Sequence, residues 1–171
     1  MTLAAKRLAG LAVAVLVFGA DQGLKWLLVE RLQLRRVGLI EIAGNFDLRW
    51  AQNYGVSFSM LTANSVEMRW LLVALTGLIA LGVLVWMLRE KALADILALG
   101  MVLGGALGNI RDRALLGFVV DYADLHFGEF RPFAIFNLAD AAISIGVVII
   151  LARSFLSREK RAEDETGGQP A

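Results

Sequence analysis

"LGVLVWMLREKALADILALG", residues 81–100, holds two apolar segments parted only by the charged tripeptide Arg89-Glu90-Lys91. The flanks extend to residues 68–88 and 92–110, and each is long enough to cross a bilayer, for which about 20 apolar residues suffice. Three residues leave room only for a tight reversal, so these two spans form an antiparallel helical hairpin. Two further runs have the same length, residues 8–29 and 133–152. The expectation is a mainly α, four-transmembrane-helix bundle in one domain, residues 1–156, followed by a disordered tail from Ser157 to Ala171.

Composition agrees with that setting. Of 171 residues 58% are hydrophobic and 19% charged, where a soluble domain carries about 45–50% apolar and about 25% charged residues. A net charge of +1 argues against a nucleic-acid surface. The absence of cysteine excludes disulfides, thiolate metal sites and cysteine nucleophiles. With His126 as the single histidine, a zinc site is not expected, and the sequence calls for no cofactor. Lys6 and Arg7 before an apolar stretch ending at Ala20 look like a signal peptide, but cleavage there requires a small residue where Phe18 stands. The first run is therefore read as a retained span.

Connectivity then sorts the polar residues. With four spans, both termini lie at the end of the bundle that holds the 89–91 turn, and the connections 30–67 and 111–132 share the opposite end. Asp21, Gln22 and Lys25 lie toward that second end of span one. Asn109, Asp112 and Arg113 close span three, Asp121 follows, and Asn137 and Asp140 open span four. Their convergence describes a site. With Lys25 left aside as part of span one, basic residues divide eight against eight between the two ends, and the short basic flanks beside the spans favour cytoplasmic termini. In "NFDLRWAQN", residues 45–53, Phe46, Leu48 and Trp50 alternate with Asp47 and Arg49. That period of two marks a strand, and strands cannot stay unpaired in lipid, so a small sheet is expected over the polar face. Trp70 and Trp86, near opposite ends of span two, read either as interfacial anchors or as lipid-facing packing.

Each polar motif has a structural and a chemical reading. Asp21 and Lys25, at i and i+4, suit an ion pair that orients helix one. Gly100, Gly104 and Gly108 form overlapping GxxxG patterns for close helix packing. Asn109, Asp112 and Arg113 form a polar stripe in which Asp112 is the natural partner of Arg113, while Asn109 and Arg113 suit contact with a peptide. Asn53 and Gly55 mark a turn, with a substrate-binding role for Asn53 equally open. Asp121 and Asp140 have no basic residue three or four positions away. Two unpaired carboxylates converging from adjacent elements suggest a dyad sharing one proton, because close like charges cannot both ionise. Asp124 and Glu129 read as exposed loop. A serine scheme built from Ser57 or Ser59 with Lys25, or from Ser144, lacks a free base.

"DQGLK" (21–25), "NYGVSF" (53–58), "GNIRDRALLGFVVDY" (108–122) and "FNLAD" (136–140) occur in that order along the chain. With these motifs the sequence resembles the lipoprotein signal peptidases, the signal peptidase II family. The resemblance implies an aspartyl endopeptidase that removes the signal peptide before a diacylglyceryl-modified cysteine, with Asp121 and Asp140 as the catalytic pair. It implies that Asn53, Asn109, Arg113 and Asn137 line the substrate site, and that Asp21, Lys25 and Asp112 support it. It also implies a small extracytoplasmic sheet, a short amphipathic helix over the site, cytoplasmic termini and a location in the bacterial inner membrane. Diacylglyceryl-prolipoproteins and membrane lipids are then the expected partners, with a monomeric state. Tyr122, where the family often has Phe, and "RPFAIFN", where many members carry Trp, are the departures. The rival is a small proton-coupled transporter using the same carboxylates, against which stands the lack of an internal repeat.

Overall fold

A computed structural model describes residues 1–55 and 66–166, with side chains as far as Leu156. Helix α1, Leu3–Trp26, starts where the Thr2 hydroxyl accepts the Ala5 N–H at 3.2 Å. It runs into one π-helical turn, Leu27–Arg31, and the single-turn α2, Leu34–Val37. Strands β1 (Leu39–Ala43) and β2 (Phe46–Asn53) follow. Helices α3 (Val66–Arg89) and α4 (Leu93–Leu116) form the hairpin. Strand β3, Val119–Leu125, then leads toward α5, Leu138–Thr166.

Four helices are long and apolar enough to span a membrane. The last begins at Leu138, not Phe133, and its backbone helix passes the Ser157 boundary of the sequence reading. Residues 133–137 instead run extended, and Phe136 bridges to Ala123 of β3. Among the described residues the first long connection holds no helix after α2, and residues 56–65, with Ser57 and Ser59, lie outside them.

Half of the apolar window of α4 is buried, against 11–17% in the other spans, so α4 is the axis of the bundle. Its small residues permit this. Gly100 and Gly104 meet the backbone of α1 at Gly10 and Ala14, and Gly105 meets the Ala139 carbonyl of α5. Any side chain there would force the helices apart, and close backbone approach is the main source of helix affinity where lipid is as apolar as the core. The 89–91 turn is fastened locally. The Glu90 carboxylate accepts the N–H groups of Lys91 (2.7 Å) and Ala92 (2.9 Å), and these bonds, with Ala92 first, hold its pKa below the usual value.

Opposite that turn sits a three-stranded antiparallel sheet in the order β1-β2-β3. A bulge between Leu48 and Ala51 shifts the β2–β3 register, so that Ala51 faces Asp121 and Asn53 faces Val119. Bulges re-aim side chains, and this one brings Asn53 and Asp121 to the same corner.

Candidate active site

The head of α5 decides the geometry. Four backbone N–H groups there lack helical partners, and each meets a side chain. Asn137 and Asp140 form a reciprocal capping box: the Asp140 N–H donates to Asn137 Oδ1 (2.9 Å), and the Asn137 N–H donates to Asp140 Oδ2 (3.3 Å). The Leu138 N–H donates to the Tyr122 hydroxyl at 3.0 Å, and the Ala139 N–H to Asp21 Oδ1 at 3.1 Å. Strand β3 and helix α1 thus hold the turn that carries Asp140.

Asp121 lies beside this turn, only 2% exposed. Asn137 Nδ2 donates to Asp121 Oδ1 at 2.6 Å and to Asn109 Oδ1 at 3.3 Å, and Asn109 Nδ2 donates to Asp140 Oδ1 at 2.8 Å. Two amides therefore bridge two carboxylates. Burial first, and the Asp140 charge second, push the Asp121 carboxyl up to about 6, against hydrogen bonds from Asn53 and Asn137. Asn53 serves the turn as well, its Oδ1 accepting the Gly55 N–H at 2.8 Å. The turn reading of Asn53 holds, and the same turn aims its amide at Asp121.

Gly55 has φ +85° and lies where a Cβ would stand 3.3 Å from an Arg113 Nη. Arg113 Nε is buried, with no hydrogen-bond partner among the described residues, and its charge faces Asp140, Asp121 and Asp112 in decreasing strength. The expected Asp112–Arg113 pair is not formed. Adjacent residues on a helix point in different directions, and Asp112 turns instead to Lys25.

Lys25 Nζ lies 2.9 Å from Asp21 Oδ2 and 2.8 Å from Asp112 Oδ2, all three side chains being buried. Gln22 Nε2 adds bonds to Asp21 (3.0 Å), Asp112 (3.1 Å) and the Gly108 carbonyl (3.3 Å). Asp112 Oδ2 also accepts the Val120 N–H at 3.2 Å, one residue before Asp121. This group therefore pins both elements that bear the dyad. It also occupies Lys25, which removes it as a base for serine chemistry. Among the described residues, no three carboxylate or imidazole groups converge as metal ligands.

Sequence reasoning misses the roles of three residues here. Gln22, placed at the site end but given no role, ties Asp21 to Asp112, and Tyr122 caps α5. Asp124, which reads as exposed loop, is 1% exposed on β3, where Arg49 Nε (2.9 Å) and Arg131 Nε (3.2 Å) reach it. "VVDYADL", residues 119–125, is buried almost throughout, and its two aspartates hide the strand pattern.

The family model for signal peptidase II matches residues 13–156. The chain belongs to the signal peptidase II family. The lipoprotein signal peptidase of Rhizorhabdus wittichii is 54% identical over 91% of each chain, and that of Sphingopyxis alaskensis 50% identical over 90% of this chain and 89% of its own. One solved structure of a bacterial membrane enzyme aligns with a TM-score of 0.71 at 28% identity, covering 84% of this chain and 90% of its own. A second has a TM-score of 0.68 at 23% identity, covering 95% and 92%, and shares the fold. Membership of signal peptidase II makes the chain a membrane peptidase, and the four motifs that carry the resemblance meet at one end of its bundle, residues 56–58 apart.

Proposed function

We propose that this chain is an aspartyl endopeptidase that removes the signal peptide from diacylglyceryl-modified prolipoproteins, with Asp121 and Asp140 as the catalytic pair. The observation that carries this reading is the bridge Asp121–Asn137–Asn109–Asp140. It holds two carboxyl groups together without a cation bonded to either among the described residues. Family membership supplies the substrate class.

In this scheme one carboxylate takes a proton from water while the other, protonated, gives its proton to the scissile carbonyl oxygen. Attack forms a C–O bond and a tetrahedral gem-diol. Collapse breaks the C–N bond, the nitrogen taking a proton from the carboxyl group that received it from water and one diol hydroxyl returning its proton to the other carboxylate. The products are a new carboxylate on the signal peptide and the free amine of the lipidated cysteine. An Asp121 carboxyl raised to about 6 suits a shared proton near neutral pH. Asn53, Asn109 and Arg113 offer donors for the extended peptide backbone, Asn137 spends its amide on Asp121 and Asn109, and Gly55 leaves Arg113 room. Cytoplasmic termini, favoured by the basic flanks, would put this site at the outer leaflet of the inner membrane. A peptide whose cysteine is anchored in lipid reaches that depth.

The test is cleavage of a purified diacylglyceryl-prolipoprotein in vesicles, followed by product mass. Wild type is expected to release the signal peptide, and Asp121→Asn and Asp140→Asn to lose at least about 1,000-fold in rate. Near-normal cleavage by either variant overturns the dyad. No release by wild type overturns the substrate assignment.

A further inference from the structure

A groove of about 710 Å3 runs between α1, α3 and α4. Its walls include Leu11, Phe18, Leu81, Leu103 and Leu107, with Gly77 making room on α3. Arg111 is the single charged residue lining it. Leu107 and Arg111 are one turn apart on α4, and Asn109 lies two residues from each, so at 3.6 residues per turn the groove faces away from the dyad. Arg111 also lines a second pocket of about 320 Å3 at the sheet end, with Gln22, Trp26, Glu30, Arg35 and Trp50. One exposed arginine thus lines both the apolar groove and a hollow of mixed character at the sheet end, where Val29, Leu116, Phe118 and Val120 stand beside the charged side chains.

The charges in that hollow are unequal. Lys25 and Asp112 also line it but are spent on each other and on Asp21. Arg111 gives one N–H to Gln22 Oε1 of the five a guanidinium carries. Arg35 has no ion pair among the described residues and projects from α2, which follows the π-helical turn and the left-handed Gln33 at φ +50°. Arg111 and Arg35 thus carry no ion pair among the described residues, and the buried Asp21–Lys25–Asp112 group beside them closes on itself. Guanidinium forks match phosphate oxygens, and an apolar channel beneath them matches an acyl chain.

We propose that the groove and the hollow form one site for an anionic glycerophospholipid of the surrounding bilayer, its phosphodiester held by Arg111 and Arg35 and one acyl chain lying along α4. A headgroup of the glycerol type satisfies the remainder, since its hydroxyls donate to Glu30. The diacylglyceryl group of a thioether-modified cysteine carries no charge, so these arginines select a different lipid. The site has a path to the dyad: Arg111 bonds to Gln22, Gln22 to Asp21 and Asp112, and those to the Ala139 and Val120 N–H groups. The binding claim stands whether or not the peptidase reading holds.

The test uses the purified full chain, delipidated in neutral detergent and offered phosphatidylglycerol, phosphatidylethanolamine, uncharged diacylglycerol or inorganic phosphate. Lipid retention by native mass spectrometry and the thermal midpoint are the readouts. Phosphatidylglycerol is expected to be retained in preference to both other lipids and to raise the midpoint, with no response to inorganic phosphate. Arg111→Gln and Arg35→Gln are each expected to lower its retention about fivefold. Leu107→Trp, which keeps both charges and fills the groove, is expected to lower it too, so the proposal survives a misfolded Arg111 variant. Equal retention of phosphatidylethanolamine or diacylglycerol, a midpoint raised equally by inorganic phosphate, or unchanged retention in Arg35→Gln and Leu107→Trp overturns it.

Discussion

Apart from Asp47 and Asp124, which find their partners in the sheet, four buried or half-buried carboxylates meet at the sheet end of the bundle, and they divide into two unlike pairs. Asp21 and Asp112 share Lys25, each within 3 Å of its ammonium, and spend their remaining lone pairs on backbone N–H groups of α5 and β3. Asp121 and Asp140 receive only amide donors, from asparagine side chains and from the cap of α5. Compensated charge fixes geometry, because moving any member strands another in a low-dielectric site. Uncompensated charge keeps a proton within reach of neutral pH. The first pair is bonded into the frame, and in the proposed reaction the second does the chemistry.

Replacing either member of the second pair should separate the two roles most widely. Asp121→Asn and Asp140→Asn are expected to abolish cleavage while the chain still folds, since an amide can keep a neutral hydrogen bond to its asparagine neighbour. Circular dichroism beside the cleavage assay checks this, and an unfolded variant would mean that the second pair is structural after all. Lys25→Met does the converse. It leaves two buried carboxylates without a counter-charge and should cost about 3–5 kcal/mol of stability, read as a large drop in thermal midpoint. A small drop would mean that Gln22 alone holds the first pair.

The two pairs are not equally legible in the sequence. Span lengths and the three-residue turn dictate the bundle, and counting spans puts all four carboxylates at one end. The Asp21–Lys25 spacing announces its own partner. What periodicity does not supply is direction around the helix. Adjacency offers Arg113 as the partner of Asp112, whereas 100° of rotation per residue sends one side chain toward α1 and the other toward Gly55. Nor does it supply strand β3, whose aspartates interrupt the apolar run. The roles of Tyr122 and Gln22 are hidden for a related reason: each acts on an element distant in the chain, Tyr122 on the head of α5 and Gln22 on the last turns of α4. Only the packed structure sets those distances.

Titration gives a smaller but sharper test of the same contrast. Asp121 is held near 6 against an ordinary 3.8, so the folded chain binds this proton more tightly than the unfolded chain. Below about pH 3 the group is protonated in both states and contributes nothing. As pH rises from 3 through 6 the unfolded state ionises first, and stability falls by up to about 3 kcal/mol, since each pH unit between the two values is worth about 1.4 kcal/mol. Asp121→Asn lacks this loss. Its thermal midpoint should equal that of wild type near about pH 3 and exceed it above about pH 6.5. A gap that is constant with pH would show that Asp121 titrates normally and that the pair shares no proton.

The smallest effect expected is that of Tyr122→Phe. Tyr122 is buried on β3, and burial holds its phenol well above the usual pKa, so it stays neutral and acts on α5 only by accepting the Leu138 N–H. Removing the oxygen leaves one of four capped N–H groups without its partner, which costs about 1–3 kcal/mol when the group stays dry and less when water takes the place of the oxygen. The other three caps come from Asp21 and the Asn137–Asp140 box, so Asp140 should keep its position. A fall of a few degrees in thermal midpoint with cleavage within about threefold of wild type would fit a frame held redundantly. A loss of cleavage comparable to that of Asp140→Asn would instead move Tyr122 out of the frame and into the chemistry.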